Sequence, residues 1–194
     1  QKHKYFSKIT TITFKKARSI LDSLQGSYLL FLNINLEELE NTEHFFSSLE
    51  LLKPYSDRVI IEISGRCRLR SFLRLENQIS EIHNQGFRIS IDDVGSGSDS
   101  LSVLAEFNPK FIKADISTVR GINLNQQKQR LVSLLCRLAT SIDAKIVAEG
   151  VERKEELETL KQCGDIIVQG YLFSKPLTDL SVLDEYRDKD WSSL

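Results

Sequence analysis

Arg88-Ile89-Ser90-Ile91-Asp92-Asp93-Val94-Gly95-Ser96-Gly97-Ser98-Asp99-Ser100 is the stretch on which the reading of this chain turns. It begins as a short β-branched run and ends in two adjacent carboxylates. Arg88–Ile91 reads as a strand that runs straight into Asp92-Asp93, and the continuous apolar runs among its fellow strand candidates suggest a parallel sheet buried on both faces. Two neighbouring carboxylates at the end of such a strand repel each other and are costly to keep ionised without a cation. A turn or a helix cap is the ordinary alternative, since Asp is common in both. The glycine-serine loop that follows favours a ligand site, because loops of this kind close over ligands.

Working outward, the same pattern recurs. Tyr28–Ile34, Val59–Ile63, Phe111–Lys113, Lys145–Ala148 and Ile166–Val168 read as further strands. Helical spacing fills the gaps at Phe14–Leu24, His44–Leu52, Leu69–His83, Asp99–Phe107, Gln126–Ile142 and Lys154–Gln162. On Gln126–Ile142 the apolar side is expected to be Leu131, Leu134, Leu135, Leu138 and Ile142. Strand–helix alternation along the whole chain means an α/β fold. Six strands, each with a polar residue at its carboxyl end, fit a TIM-like (β/α)8 barrel, whose active sites gather at that end. Eight units usually take about 250 residues, and the chain has 194. The first β/α unit is therefore expected upstream of residue 1. An open doubly wound sheet is the main alternative. It normally carries a glycine-rich loop after its first strand, and Asn33 to Glu40 contains no glycine.

The strand ends supply the candidate chemistry. In order they are Asn33, Glu62, Asp92-Asp93, Lys113, Glu149 and Gln169. A glutamate inside an apolar strand is rarely buried without a partner, unless Glu62 lies on an edge and faces water. A strand-end Asn more often bonds backbone than metal. A strand-end lysine is usually solvated, but beside carboxylates it can orient a water or pair with phosphate. Glu152 either joins the same mouth or caps the next helix. Oxygen donors of this kind suit Mg2+, Mn2+ or Ca2+ rather than zinc. Several carboxylates with a lysine fit a two-metal hydrolase of phosphate esters, with metals about 3.5–4 Å apart.

Composition excludes other classes. A net charge of −1, with 27% charged and 41% hydrophobic residues, describes an ordinary globular domain. It offers no electrostatic reason for DNA wrapping or membrane-surface binding. No apolar run approaches the ~20 residues that span a bilayer. Cys67, Cys136 and Cys163 share no CxxC spacing and are expected as buried thiols of a reducing, cytoplasmic compartment. The absence of methionine suggests that the chain starts inside a longer polypeptide.

Taken together, the motifs resemble the EAL-domain cyclic di-GMP phosphodiesterases. Asp92 to Leu101 resembles that family's DDFGTGYSSL loop, and Lys113-Ala114-Asp115 its KID. Glu149-Gly150-Val151-Glu152 matches EGVE, and Gln169 to Leu177 matches QGYLFSKPL. Asn33-Ile34-Asn35 and Glu62-Ile63-Ser64 resemble its NxS and ExT strand ends. The resemblance runs from about Phe6 to Leu180. It implies one barrel domain over residues 1–194 that binds cyclic di-GMP at its carboxyl face. Two Mg2+ or Mn2+ ions would activate water for attack on one phosphodiester. Asn33, Glu62, Asp92, Asp93 and Glu149 would be metal ligands. Lys113 would position the water, and Glu152 and Gln169 would complete the site. Lys113→Ala is then expected to leave the fold intact and abolish turnover. Homodimer pairing and upstream regulatory domains are expected for the same family reason.

The departures point to a second reading, a catalytically degenerate receptor or protein-interaction regulator. The EAL tripeptide itself is absent. Gly65 stands where the family usually has a glutamate that holds the mobile loop. Val94, Ser98 and Asp99 alter that loop, and Arg153 replaces the usual threonine after EGVE.

Overall fold

The computed structural model describes residues 2–24, 26–64, 74–94, 104, 107–178, 180 and 182–187. The chain divides into two compact units, Gln1–Lys113 and Ala114–Leu194.

The first unit runs α1 (Lys2–Ser23), β1 (Leu30–Ile34), α2 (Leu36–Glu40), α3 (Thr42–Leu49), a 3-10 helix (Glu50–Tyr55), β2 (Val59–Ser64), α4 (Glu76–Asn84), β3 (Arg88–Val94) and β4, which begins at Phe111 and ends at Ala114. The first three strands pair in parallel and in chain order. β4 stands next to β3, tied by Lys110 N donating to Ile89 O at 2.9 Å. All of the expected strands of this unit are present; three lie within two residues of their expected ends, and β3, expected over Arg88–Ile91, runs three residues further, to Val94. In α1, Thr10, Phe14, Ala17 and Leu21 are buried. Their spacing of four, three and four residues puts them on one helical face. Phe14 meets Phe45 of α3 edge-on, with ring centroids 5.8 Å apart. β2 is buried throughout except at Ser64, as a strand between two neighbours should be. The helix expected over Leu69–His83 is described only from Glu76, because residues 65–73 lie outside the described set. Gly65, most of the Asp92–Leu101 loop and most of the expected helix Asp99–Phe107 lie outside it too.

The second unit runs α5 (Ile116–Val119), a 3-10 turn (Ile122–Leu124), α6 (Gln126–Ser141), β5 (Lys145–Glu149), α7 (Lys154–Cys163), β6 (Ile166–Gln169) and α8 (Leu183–Arg187). β5 and β6 pair in parallel, with Glu149 opposite Gln169. β6 is not buried on both faces as a parallel strand was expected to be: Ile167 is exposed. Among the described residues β6 has a pairing neighbour on one side only.

The face of α6 also differs from expectation. Val132, Leu135, Cys136 and Ala139 are the buried residues, while Leu131 and Leu134 are 40% and 54% exposed. Two apolar stripes overlap on this helix, and contact with α7 and β5 selects which one is covered. At its start, the Asn125 side chain accepts from Gln127 N at 3.0 Å and Lys128 N at 3.1 Å. Asn125→Ala leaves those donors without a cap and should cost about 1 kcal/mol in urea unfolding. No described helix is long and apolar enough to cross a membrane.

Candidate functional site

In the first unit the register of the strands aligns the expected site residues. Asn33 lies opposite Glu62, Glu62 opposite Ser90, and Ser64 opposite Asp92. Side chains two apart on a strand share a face, so Asn33, Glu62, Ser64, Ser90 and Asp92 all belong to one side. One layer earlier the same side is aromatic. Phe31 meets Phe111 edge-on at 5.2 Å, and the Arg88 guanidinium lies 5.7 Å from the Phe111 ring centre. Lys113, two residues after Phe111, follows them onto this side. Its ammonium donates to Glu62 Oε1 at 2.9 Å.

That ion pair is buried. Glu62 is 1% exposed and Lys113 5%. Glu62 is therefore not a water-facing edge residue, and Lys113 is not a solvated strand end. This revises one expectation. Removing one member of a buried pair leaves the other charge uncompensated, so Lys113→Ala will not leave the fold untouched.

Near the end of β3 the Asp92 carboxylate accepts from Asp93 N at 2.8 Å. Asp93 itself has φ 57°. A left-handed backbone costs a non-glycine residue about 1–2 kcal/mol, and Asp is among the few types that tolerate it. Backbone in sparsely populated regions clusters at functional sites. Asn33 is exposed.

Within the second unit, Glu149 and Gln169 stand side by side in register. The turns that follow them interlock. Val151 N donates to Gln169 O at 3.0 Å, and Leu172 N donates to Val151 O at 3.0 Å. Gly170 sits so close that a Cβ there would lie 2.1 Å from Val151 O. Gly150, with φ +70°, has Ile116 against it at 2.3 Å from the same hypothetical atom. Glu152 pairs with Arg120 at 2.7 Å at the surface.

The cap of α7 is Glu156, a residue whose role the sequence reading did not single out. Its carboxylate accepts from Gly121 N at 2.8 Å, Glu152 N at 3.1 Å and Arg153 N at 3.2 Å. The available signal was its place three residues after Arg153, where capping glutamates fall. Burial opposes ionisation of Glu156, but these three N–H groups and the Arg153 charge outweigh it and hold the carboxyl below its ordinary value of 4.5. A carboxyl lowered in the native state stabilises the fold above its unfolded pKa and loses that contribution as pH falls through the native one. Glu156→Gln should therefore cost about 2 kcal/mol at neutral pH. The gap between variant and wild type should close as pH drops below 4.5, measured by urea unfolding across pH. A gap that stays constant would mean that the charge contributes nothing.

The donors of the first unit fit a hard divalent cation. Asn33, Glu62 and Asp92 offer only oxygens, and they stand at the carboxyl ends of strands about 4.8 Å apart. Ser90 Oγ, fully buried in register with Glu62, has no hydrogen-bond partner among the described residues. A buried hydroxyl of this kind is normally satisfied by water. Among the described residues no three His, Cys, Asp or Glu side chains cluster tightly enough to hold a metal by themselves. The amide and hydroxyl oxygens are thus part of what the face offers.

Comparison with known proteins places this geometry. The family model "EAL domain" matches residues 1–176. The probable cyclic di-GMP phosphodiesterase PdeG of Escherichia coli K12 is 34% identical over 125 residues, 64% of this chain and 25% of that protein. This chain thus spans about a quarter of the length of that curated relative. An EAL domain protein from Listeria monocytogenes EGD-e superposes with a TM-score of 0.79 at 25% identity, covering 90% of this chain and 71% of the other. Klebsiella pneumoniae BlrP1, in a complex with calcium and cyclic di-GMP, superposes with a TM-score of 0.75 at 27% identity, covering 90% and 45%. A manganese complex of BlrP1 gives 0.74 at 26% identity, covering 90% and 45%. The fold is accordingly the α/β, TIM-like barrel type of these structures, and the chain belongs to the EAL domain family.

Proposed function

We propose that this domain hydrolyses cyclic di-GMP to the linear dinucleotide with the help of divalent metal. The observation that carries the reading is the single face of β1–β4 on which Asn33, Glu62 and Asp92 line up with the buried Lys113–Glu62 pair. The metal-bound BlrP1 complexes support it, as does the similarity to PdeG.

In this reading Asn33, Glu62, Asp92, Asp93 and Glu149 would hold two ions, Mg2+ or Mn2+. The ions would supply Lewis-acid activation of water and neutralise charge on the phosphodiester. The chain's own part is positional and electrostatic. Lys113 orients Glu62 through their 2.9 Å contact, and it would position the attacking water. The aromatic layer of Phe31 and Phe111 beneath keeps bulk water from the floor of the site. Glu152 and Gln169 would complete the site.

The test is hydrolysis of cyclic di-GMP by the full-length protein with Mg2+ or Mn2+, read by separation of the linear product. Asp92→Asn serves as the inactive control. Turnover abolished by that change supports the reading. Retained binding without turnover in wild type replaces it with a receptor role. Pairing of two copies and upstream regulatory domains belong to the same proposal, and sedimentation of the full-length protein tests the first.

A further inference from the structure

Two thiols of the second unit share one packed seam. Cys136 is on the buried stripe of α6, and Cys163 is the last residue of α7. The two helices pack together. The Cys163 thiol donates to the Gln129 carbonyl at 3.7 Å, so its sulfur rests on α6. Gln129 and Cys136 are two turns apart and lie on the same side of that helix. From the other direction, Cys136 presses on the residue after Cys163. A Cβ at Gly164 would lie 2.9 Å from Cys136 Cβ and 3.0 Å from its sulfur. Both cysteines are free. Burial, then the Cys163 thiol and the Asp165 carboxylate, push the Cys136 thiol above its ordinary value.

We propose that Cys136 and Cys163 are a modification site for peroxides and close into a reversible disulfide. The half-buried Cys163 is the reachable partner and the buried Cys136 the resolving one. The Cys163 thiolate attacks one peroxide oxygen. An S–O bond forms, the O–O bond breaks, and the departing hydroxide takes a proton and leaves as water. Cys136 sulfur, giving up its proton, then attacks Cys163 sulfur. The S–S bond forms, the S–O bond breaks, and a second water leaves. Two thiols thus supply the two electrons that reduce one hydrogen peroxide to two waters. A disulfide needs Cα atoms about 4.4–6.8 Å apart. Gly164 already touches Cys136, and Cys163 is one peptide unit, about 3.8 Å, further. The last turn of α7, the part of a helix that frays most readily, makes up the difference.

The bond would fasten α6 to the turn that leads into β6, the strand that ends at Gln169. Any effect on catalysis through that strand rests on the proposed function. The cross-link itself does not.

The experiment uses the full-length protein carrying Cys67→Ser, treated with hydrogen peroxide, digested without reductant and mapped by mass spectrometry. The expected product is a peptide pair joined at Cys136 and Cys163 and released by dithiothreitol. Iodoacetamide labelling of Cys163 should disappear on oxidation and return on reduction. Cys163→Ser should abolish the linked pair, and this half-exposed position is a mild change even where Cys136→Ala fails to fold. Sulfinic acid on Cys163 with an intact Cys136 thiol, a bond between two chains, or no oxidation would each overturn the proposal. Hydrolysis assayed on the same samples reports separately on the phosphodiesterase reading.

Discussion

Lys113→Ala is expected to lower the stability of the chain by about 3–5 kcal/mol, the range for breaking a buried ion pair from one side. The cause is the partner. Glu62 is 1% exposed, and without the ammonium at 2.9 Å its carboxylate is left charged inside the first unit. Urea unfolding measures the loss. Three companion measurements separate the causes. Glu62→Gln in the same chain replaces the stranded charge with a neutral amide and should return part of the loss, read as a double-mutant cycle. Lys113→Arg should not rescue, because the planar guanidinium does not fit a site shaped for an ammonium. Added Mg2+ or Mn2+ should raise the melting temperature of Lys113→Ala more than that of wild type, since a cation can replace the missing positive charge beside Glu62. A stability within about 0.5 kcal/mol of wild type, the usual range for surface changes, would show that the pair is not buried as described.

Gly170→Ala is expected to cost about 3–5 kcal/mol, combining overpacking with two disturbed hydrogen bonds. The added methyl carbon would fall 2.1 Å from Val151 O, 2.3 Å from Val151 N and 2.7 Å from Val151 C. These are backbone atoms and cannot rotate away. Moving them breaks the bonds from Val151 N to Gln169 O and from Leu172 N to Val151 O. Gly150→Ala makes the informative contrast. Its closest contacts are side-chain atoms of Ile116, Cγ1 at 2.3 Å and Cδ1 at 2.4 Å, rather than backbone, so a rotamer change of Ile116 relieves most of the overlap at a cost of about 1 kcal/mol. The left-handed backbone at φ +70° adds about 1–2 kcal/mol. Unfolding midpoints should therefore rank wild type above Gly150→Ala and Gly150→Ala above Gly170→Ala. Amide exchange at Val151 and Leu172 should accelerate most in the last. The reverse ranking would mean that the two turns are not interlocked.

Most of the fold was legible because its signals are local. Apolar β-branched runs such as Val59–Ile63 have few alternatives to a buried strand, and all six expected strands are present. The boundaries and faces of helices were less legible. On α6 two apolar stripes compete, and Leu131 and Leu134 lost to Val132 and Cys136 because contact with α7 and β5, not the helix itself, decides the covered side. The short helices α2 and α5 were missed because four or five residues give no periodicity to read. Glu156 was missed as a cap because a charged residue in a charged helix looks like a solvated face until its three backbone donors are seen.

By itself, the sequence determined which residue types stand at each strand end and that they belong to the EAL family, since spacing and chemistry are written along the chain. Asp92-Asp93 was visible in that way from the start. Only the tertiary structure decided what those groups do to one another. Lys113 and Glu62 are 51 residues apart in the chain and meet only because β2, β3 and β4 lie side by side. Burial then turns that contact from a surface pair of little consequence into one on which both stability and the charge of the site depend, because the energy of an ion pair is set by the medium around it.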